Sequence, residues 1–164
     1  MNLFEVTLVF STLLCSLVAG ILFTFTFVVM PGIKSTTNRE FLNSFKLIDG
    51  VIQRNQPAFM LVWVGSILII IASVLLSISK LDGVEFLLII IASALYLFGV
   101  QWPTFAINVP LNNWIQSKNI SLMTDSEIYE ARVKFEPRWL KWNSIRTVFA
   151  ILTSGLLIML VFKI

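Results

Sequence analysis

In the segment "FEPRWLKWNSIR", Glu136, Trp139, Asn143 and Arg146 recur at intervals of three, four and three. That spacing stacks side chains on one face of a helix, and Trp142 lies beside the stripe. Arg146 leads directly into an apolar run, where an arginine is costly unless it is paired, hydrated or able to reach the surface. It is either a snorkelling structural charge or a group that holds an anion, helped by the positive end of its own helix. A second set of polar groups sits in "QWPTFAINVPLNNW". Asn108 and Asn112 offer amide donors and acceptors near the same level as Arg146. Trp102, Trp139 and Trp142 offer flat aromatic faces, although tryptophan also belongs in interfacial belts. Pro103 is expected to kink its helix near Gln101 and Trp102. Pro110 removes a backbone donor and is expected to stop that helix.

These groups need a scaffold, and composition names it. Of the 164 residues 57% are hydrophobic and 13% charged, with a mean hydropathy of +0.90. Soluble domains average about 45–50% apolar and about 25% charged, so the chain is suited to lipid. Four runs reach the roughly 20 residues that span a bilayer as helix: about 6–30, 57–79, 84–107 and 145–162. They define one all-α domain, a four-helix transmembrane bundle. The first run lacks a preceding Lys or Arg and is longer than a signal-peptide core, so it is read as a retained span.

The connections carry structure and charge. The first long connection holds Lys34, Arg39, Lys46 and Arg54; the third holds Lys118, Arg132, Lys134, Arg138 and Lys141, with Arg146 just inside the helix. With four spans these connections share a face, and the opposite face has only Lys80 and Lys163. The positive-inside rule then puts both long connections in the cytoplasm and both termini outside a cell membrane. That placement explains the net charge of +3 without a nucleic-acid partner. "TNRE" reads as a capping box opening an amphipathic helix with Phe41, Phe45, Ile48 and Ile52 on one face. "TDSE" opens a short helix in the third connection. Pro137 suits the first turn of the helix that continues through the fourth span, and "SKLDGV" is a tight turn joining spans two and three.

Because all four span ends on the basic face lie together, their unusual residues are expected to surround one pocket. These include Pro31 and Gly32, read as a sharp helix stop, together with Asn108, Pro110 and Asn112 and the Trp139–Arg146 stripe. Asp49 and Glu136 are the nearest carboxylates, each expected to pair with Lys or Arg, and if the site needs a base, Asp49, Glu136 or water would have to serve. The chain has no His and a single Cys15, which argues against haem, zinc and copper chemistry. No Walker loop, HExxH, CxxC, dinucleotide fingerprint or GxSxG is found. In the first span Thr12, Ser16, Gly20 and Thr24 recur every four residues. That stripe reads as a close helix-packing face, within the bundle or against a second copy of the chain.

"MPG" at Met30–Gly32, "NVPLN" at Asn108–Asn112 and "W..WNSIRT" around Trp139–Thr147 together resemble the anthrone oxygenase-like integral membrane family, in the same order and over about residues 20–157. The pattern falls on Met30, Pro31, Asn108, Pro110, Leu111, Asn112, Trp142, Asn143 and Arg146. The resemblance implies a membrane enzyme that oxidises an anthrone to an anthraquinone with dioxygen. The absence of His suits an oxygenation that uses no cofactor. Combined with the residue reading, the expected catalytic groups are Arg146, Asn108 and Asn112. The expected substrate contacts are Trp102, Trp139, Trp142, Asn143, Pro110 and Pro31, around a lipophilic phenolic or quinone-like molecule drawn from the lipid bilayer. The alternative is a non-enzymatic membrane protein that binds such a molecule or serves in assembly or transport.

Overall fold

Five helices account for most of the chain in the computed structural model, which describes residues 2–164. They are α1 (Leu3–Lys34), α2 (Asn38–Gln53), α3 (Pro57–Ser77), α4 (Gly83–Gln116) and α5 (Asp125–Val161). No strand occurs among the described residues. Helices α1, α3, α4 and α5 are each long and apolar enough to cross a membrane, so the protein is a multi-pass membrane protein. Their starts follow from local chemistry. Thr37 and Thr124 form the expected capping boxes with Glu40 and Glu127, and Asn2 forms another with Glu5. Pro57 takes the first position of α3, where its missing N–H costs nothing, and the Gln56 side chain caps the Phe59 N–H.

The prolines behave differently from the sequence expectation. Pro31 and Gly32 do not stop α1, which continues to Lys34, and Pro110 does not end α4, which continues to Gln116. In each case the helix widens into a π turn just ahead of the proline: Phe25–Val29 before Pro31, Leu95–Gln101 before Pro103, and Thr104–Asn108 before Pro110. The residue preceding each proline donates its N–H five residues back, Met30 to Phe25, Trp102 to Leu97 and Val109 to Thr104. The wider turn just ahead of each proline coincides with the place where its ring would crowd the preceding turn, and it keeps the N–H before the proline bonded. Pro137 also lies inside a helix rather than at its first turn, since α5 begins at Asp125. The short helix expected in the third connection is therefore the opening of α5 itself.

Helix α1 packs between α3 and α5, and α4 packs along α5. The buried stripe of α1 is Phe4, Leu8, Ser11, Cys15, Val18 and Leu22. Two interhelical hydroxyl pairs lie in the core: Ser11 with Ser73, and Ser66 with Tyr96. The Thr12, Ser16, Gly20, Thr24 stripe faces outward or sits at the edge of the packing. Space around Gly20 is open, and the Thr12 and Thr24 hydroxyls bond their own helix backbone. Within one chain, that stripe is not the packing face.

The amphipathic helix α2 lies against α4 and α5 at the end of the bundle that carries both long connections. Its apolar face, Phe41, Leu42 and Phe45, joins Ile115, Ile128, Phe135 and Trp139 in a second core. Basic residues fasten this layer. Arg132 binds Glu136 at 2.7 Å and donates to the Lys34 and Thr36 carbonyls and to Asn38. Arg39 donates to the Ile120 and Met123 carbonyls, and Lys46 to those of Gln116 and Lys118. Each cation meets carbonyls at or just beyond a helix end, where the backbone lacks donors of its own.

Helix α4 lies close against Phe149 of α5 at Gly99. A Cβ built there would lie 2.5 Å from Cγ of Phe149 and 2.9 Å from its Cβ. Gly99→Ala is therefore expected to cost about 1–3 kcal/mol by overpacking, read as a lower thermal unfolding midpoint in detergent.

Candidate functional site

A cavity of about 220 Å³ opens where all five helices meet toward the basic end. Its wall is largely apolar: Ile21, Leu22 and Phe25 from α1, Phe45 and Ile52 from α2, Phe59, Met60, Trp63 and Val64 from α3, and Phe105 and Val109 from α4. Helix α3 packs against α4 through the Gly83–Ala94 portion nearest the turn. Farther along, the two helices flank the cavity. Val64 and Phe105, 42% and 58% exposed, carry its lining out to the lipid-facing surface.

Against this wall stand a few polar side chains. Arg146 is 4% exposed, with no ion pair among the described residues. Its Nη1 donates to Thr104 Oγ1 at 2.8 Å and its Nη2 to Asn143 Oδ1 at 2.8 Å, while Nε has no partner. Asn143 passes the restraint on, donating to Thr26 Oγ1 and the Leu22 carbonyl. Thr26 in turn meets Thr147. The guanidinium is thus oriented by neutral groups of α4 and α5, the latter braced from α1, and these bonds use two of its five N–H donors, leaving Nε without a partner. A buried cation without an acid gains little compensation for its lost hydration, so an anionic oxygen fits here.

Nearer the basic end, Asn112 links two elements. It accepts from Trp139 Nε1 at 2.7 Å and donates to Asp49 Oδ1 at 2.8 Å. Asn108 donates to the Trp139 carbonyl at 3.3 Å, and its Oδ1 is buried without a partner. The Trp139 ring is fixed by Phe45, Phe135 and Phe25 at centroid distances of 5.4, 6.3 and 5.9 Å.

Five of the residues expected from the sequence therefore meet in one cavity: Asn108, Asn112, Trp139, Asn143 and Arg146. Four do not. Trp102 and Trp142 line a separate outer groove with Phe98, Gly99 and Phe149, Trp102 being 58% exposed. Trp142 is partly buried and also packs against the second core. Pro31 and Pro110 are exposed and shape the backbone from outside the cavity. Met30 and Leu111 are buried in the second core. Glu136 is held by Arg132, as expected of a carboxylate near a cation. Asp49 departs from expectation: it pairs with no Lys or Arg and is held by the amides of Asn112, Gln116 and Gln53. Thr104 is a cavity residue that the sequence reading did not name, and Asp49 is one that it named only as a nearby carboxylate. The signal for Asp49 was present, since it follows Phe41 and Phe45 at four-residue steps on an apolar face. Among the described residues, no group of three or more His, Cys, Asp or Glu is arranged to hold a metal ion.

The chain matches a family model described as anthrone oxygenase over residues 51–156. The match spans α3, α4 and most of α5, including the five site residues named above, and stops short of Asp49. No curated protein and no solved structure matches the chain.

The geometry around Arg146 predicts an unusual stability result. Replacing an unpaired buried charge by an apolar side chain of similar length removes a desolvation cost. Arg146→Met should leave the thermal unfolding midpoint in detergent unchanged or higher. A fall of several degrees would show that the guanidinium serves the fold.

Proposed function

The chain belongs to the anthrone oxygenase family, and on that premise we propose that it is a cofactor-independent oxygenase of a lipophilic, anthrone-like or phenolic ring ketone. The observation that carries this reading is the unpaired, buried Arg146 facing an apolar cavity. The substrate is a flat aromatic taken from the bilayer through the side flanked by Val64 and Phe105, with Trp139 in the cavity wall. Loss of a proton from the activated ring carbon gives an enolate whose oxygen is stabilised by Arg146. Preorganised donors aimed at developing charge act strongly in a site closed to water. The enolate carbon forms a C–O bond with dioxygen, and the peroxide takes up the proton. Loss of the second C–H and cleavage of the O–O bond then leave a carbonyl and release water. One ring CH₂ and one O₂ become one C=O and one H₂O. Asn108, with a free buried Oδ1, and Asn143, which orients Arg146, complete the polar wall.

The same reading puts the basic end and both long connections in the cytoplasm of a cell membrane and both termini outside, following the charge asymmetry. A second reading is a non-catalytic binder that assembles as a homo-oligomer. The outward Thr12, Ser16, Gly20, Thr24 stripe favours it, because small side chains with open space at Gly20 let another helix approach. Disulfide crosslinking of a Gly20→Cys variant into a dimer that consumes no oxygen would support this alternative.

The experiment for the oxygenase is oxygen uptake by purified protein given an anthrone. Arg146→Ala is expected to lower kcat/KM about 100- to 1,000-fold, the scale for losing one oxyanion donor. Uptake unchanged by the substitution would remove Arg146 from the reaction.

A further inference from the structure

The polar wall has two ends, and the oxygenase reading uses only one. Asp49 is the single carboxylate in the cavity lining. It is 3% exposed, and among the described residues no cation pairs with it. Its charge is held by neutral amides: Asn112 donates to Oδ1 at 2.8 Å, Gln116 to Oδ2 at 2.8 Å and Gln53 to Oδ2 at 3.4 Å. A carboxylate oxygen accepts about two hydrogen bonds, so Oδ1, with one donor, keeps a free lone-pair site. Helix packing alone would be served as well by an apolar residue at this position on the buried face of α2.

The spacing on α4 of the residues that anchor Asp49 and Arg146 fits a specific geometry. Asp49 is tied to Asn112, and Arg146 to Thr104. Eight residues of helix separate those anchors, about 12 Å at 1.5 Å per residue and somewhat less through a π turn. A ring ketone bound by its oxygen at one end, with the acidic carbon opposite across the ring, needs a similar span. That span is two polar contacts of roughly 3 Å each and about 4 Å of ring at ordinary bond lengths.

We propose that Asp49 is the general base of this site, with Asn112 and Gln116 as positioning residues that aim its carboxylate. The proposal rests on the oxygenase reading above. The C–H bond breaks, its electron pair remains in the ring system as the enolate with negative charge on the oxygen at Arg146, and the proton goes to Asp49 Oδ1. Asp49 returns that proton to the peroxide formed with dioxygen and ends the cycle ionised. The base is supplied by α2, outside the four spans, so the reaction requires this helix docked over the cavity.

The test uses the full chain in detergent and reads two steps separately. Under nitrogen in D₂O, NMR follows deuterium exchange into the methylene of an anthrone; in air, an electrode follows oxygen uptake. Wild type is expected to catalyse both. Asp49→Asn should slow exchange by roughly 100-fold or more, within the usual worth of a general base, while quenching of tryptophan fluorescence shows that it still binds the anthrone. Acetate should restore part of the exchange to Asp49→Ala, which a purely structural role would not allow. Gln116→Leu should cost less than Asp49→Asn, because it removes an aiming contact and leaves the base. Exchange by Asp49→Asn at the wild-type rate overturns the proposal. So does loss of both binding and exchange in Asp49→Ala without rescue by acetate, which would mark Asp49 as a helix latch. A wild type that exchanges deuterium but consumes no oxygen sinks the oxygenase reading and leaves the base in place. A wild type that does neither sinks both.

Discussion

A guanidinium buried in an apolar bundle has to be solvated by the protein, and the site is organised around that requirement. Arg146 finds a hydroxyl from α4 and an amide one turn earlier on α5. Asn143 is fixed in turn by Thr26 and a carbonyl of α1. Three of the four spanning helices thereby share one polar network at the level of the cavity. Because none of these partners is charged, the network sets the direction of the arginine and leaves its charge uncompensated. That combination favours an anionic guest over a closed structural pair.

The π turns belong to the same constraint. Polar backbone exposed in lipid is costly, so a proline at this depth must be accommodated by shifting the hydrogen-bond register. The shift places Phe25, Thr104, Phe105 and Asn108, all in π turns, along the cavity wall. Two of the three π turns thus border the cavity, in keeping with the frequent use of π bulges at functional sites, while Leu95–Gln101 lies outside it. The prolines shape the site from outside, through the backbone they distort.

At the basic end, charge and packing have been combined. Arg39, Lys46 and Arg132 follow the asymmetry that orients a membrane protein, yet each is also bound to carbonyls that end helices or follow them. They hold the connections, and with them α2, across the mouth of the bundle. Asp49 reaches the cavity only because that layer is docked.

Much of this was legible in the residue order. Hydropathy fixed four spans, the capping boxes at Thr37 and Thr124 fixed two helix starts, and the three-four-three spacing put Trp139, Asn143 and Arg146 on one face. These are local properties, set by side-chain type and by helical period. The fate of the prolines was not legible, because whether a proline ends a helix or is absorbed by a π turn depends on what surrounds the freed carbonyls. Nor could spacing separate Trp139 from Trp102 and Trp142, since all three suit an interface and only packing decides which face turns inward. The partners of Asp49 were likewise undecidable: a carboxylate near basic residues usually pairs with one, and only the docking of α2 against α4 gave it the amides of Asn112 and Gln116 beside that of Gln53 on its own helix. The sequence by itself determined the class, the helices and the arginine stripe. Tertiary structure decided which polar groups meet, because contacts between helices distant in the chain depend on how apolar faces pack.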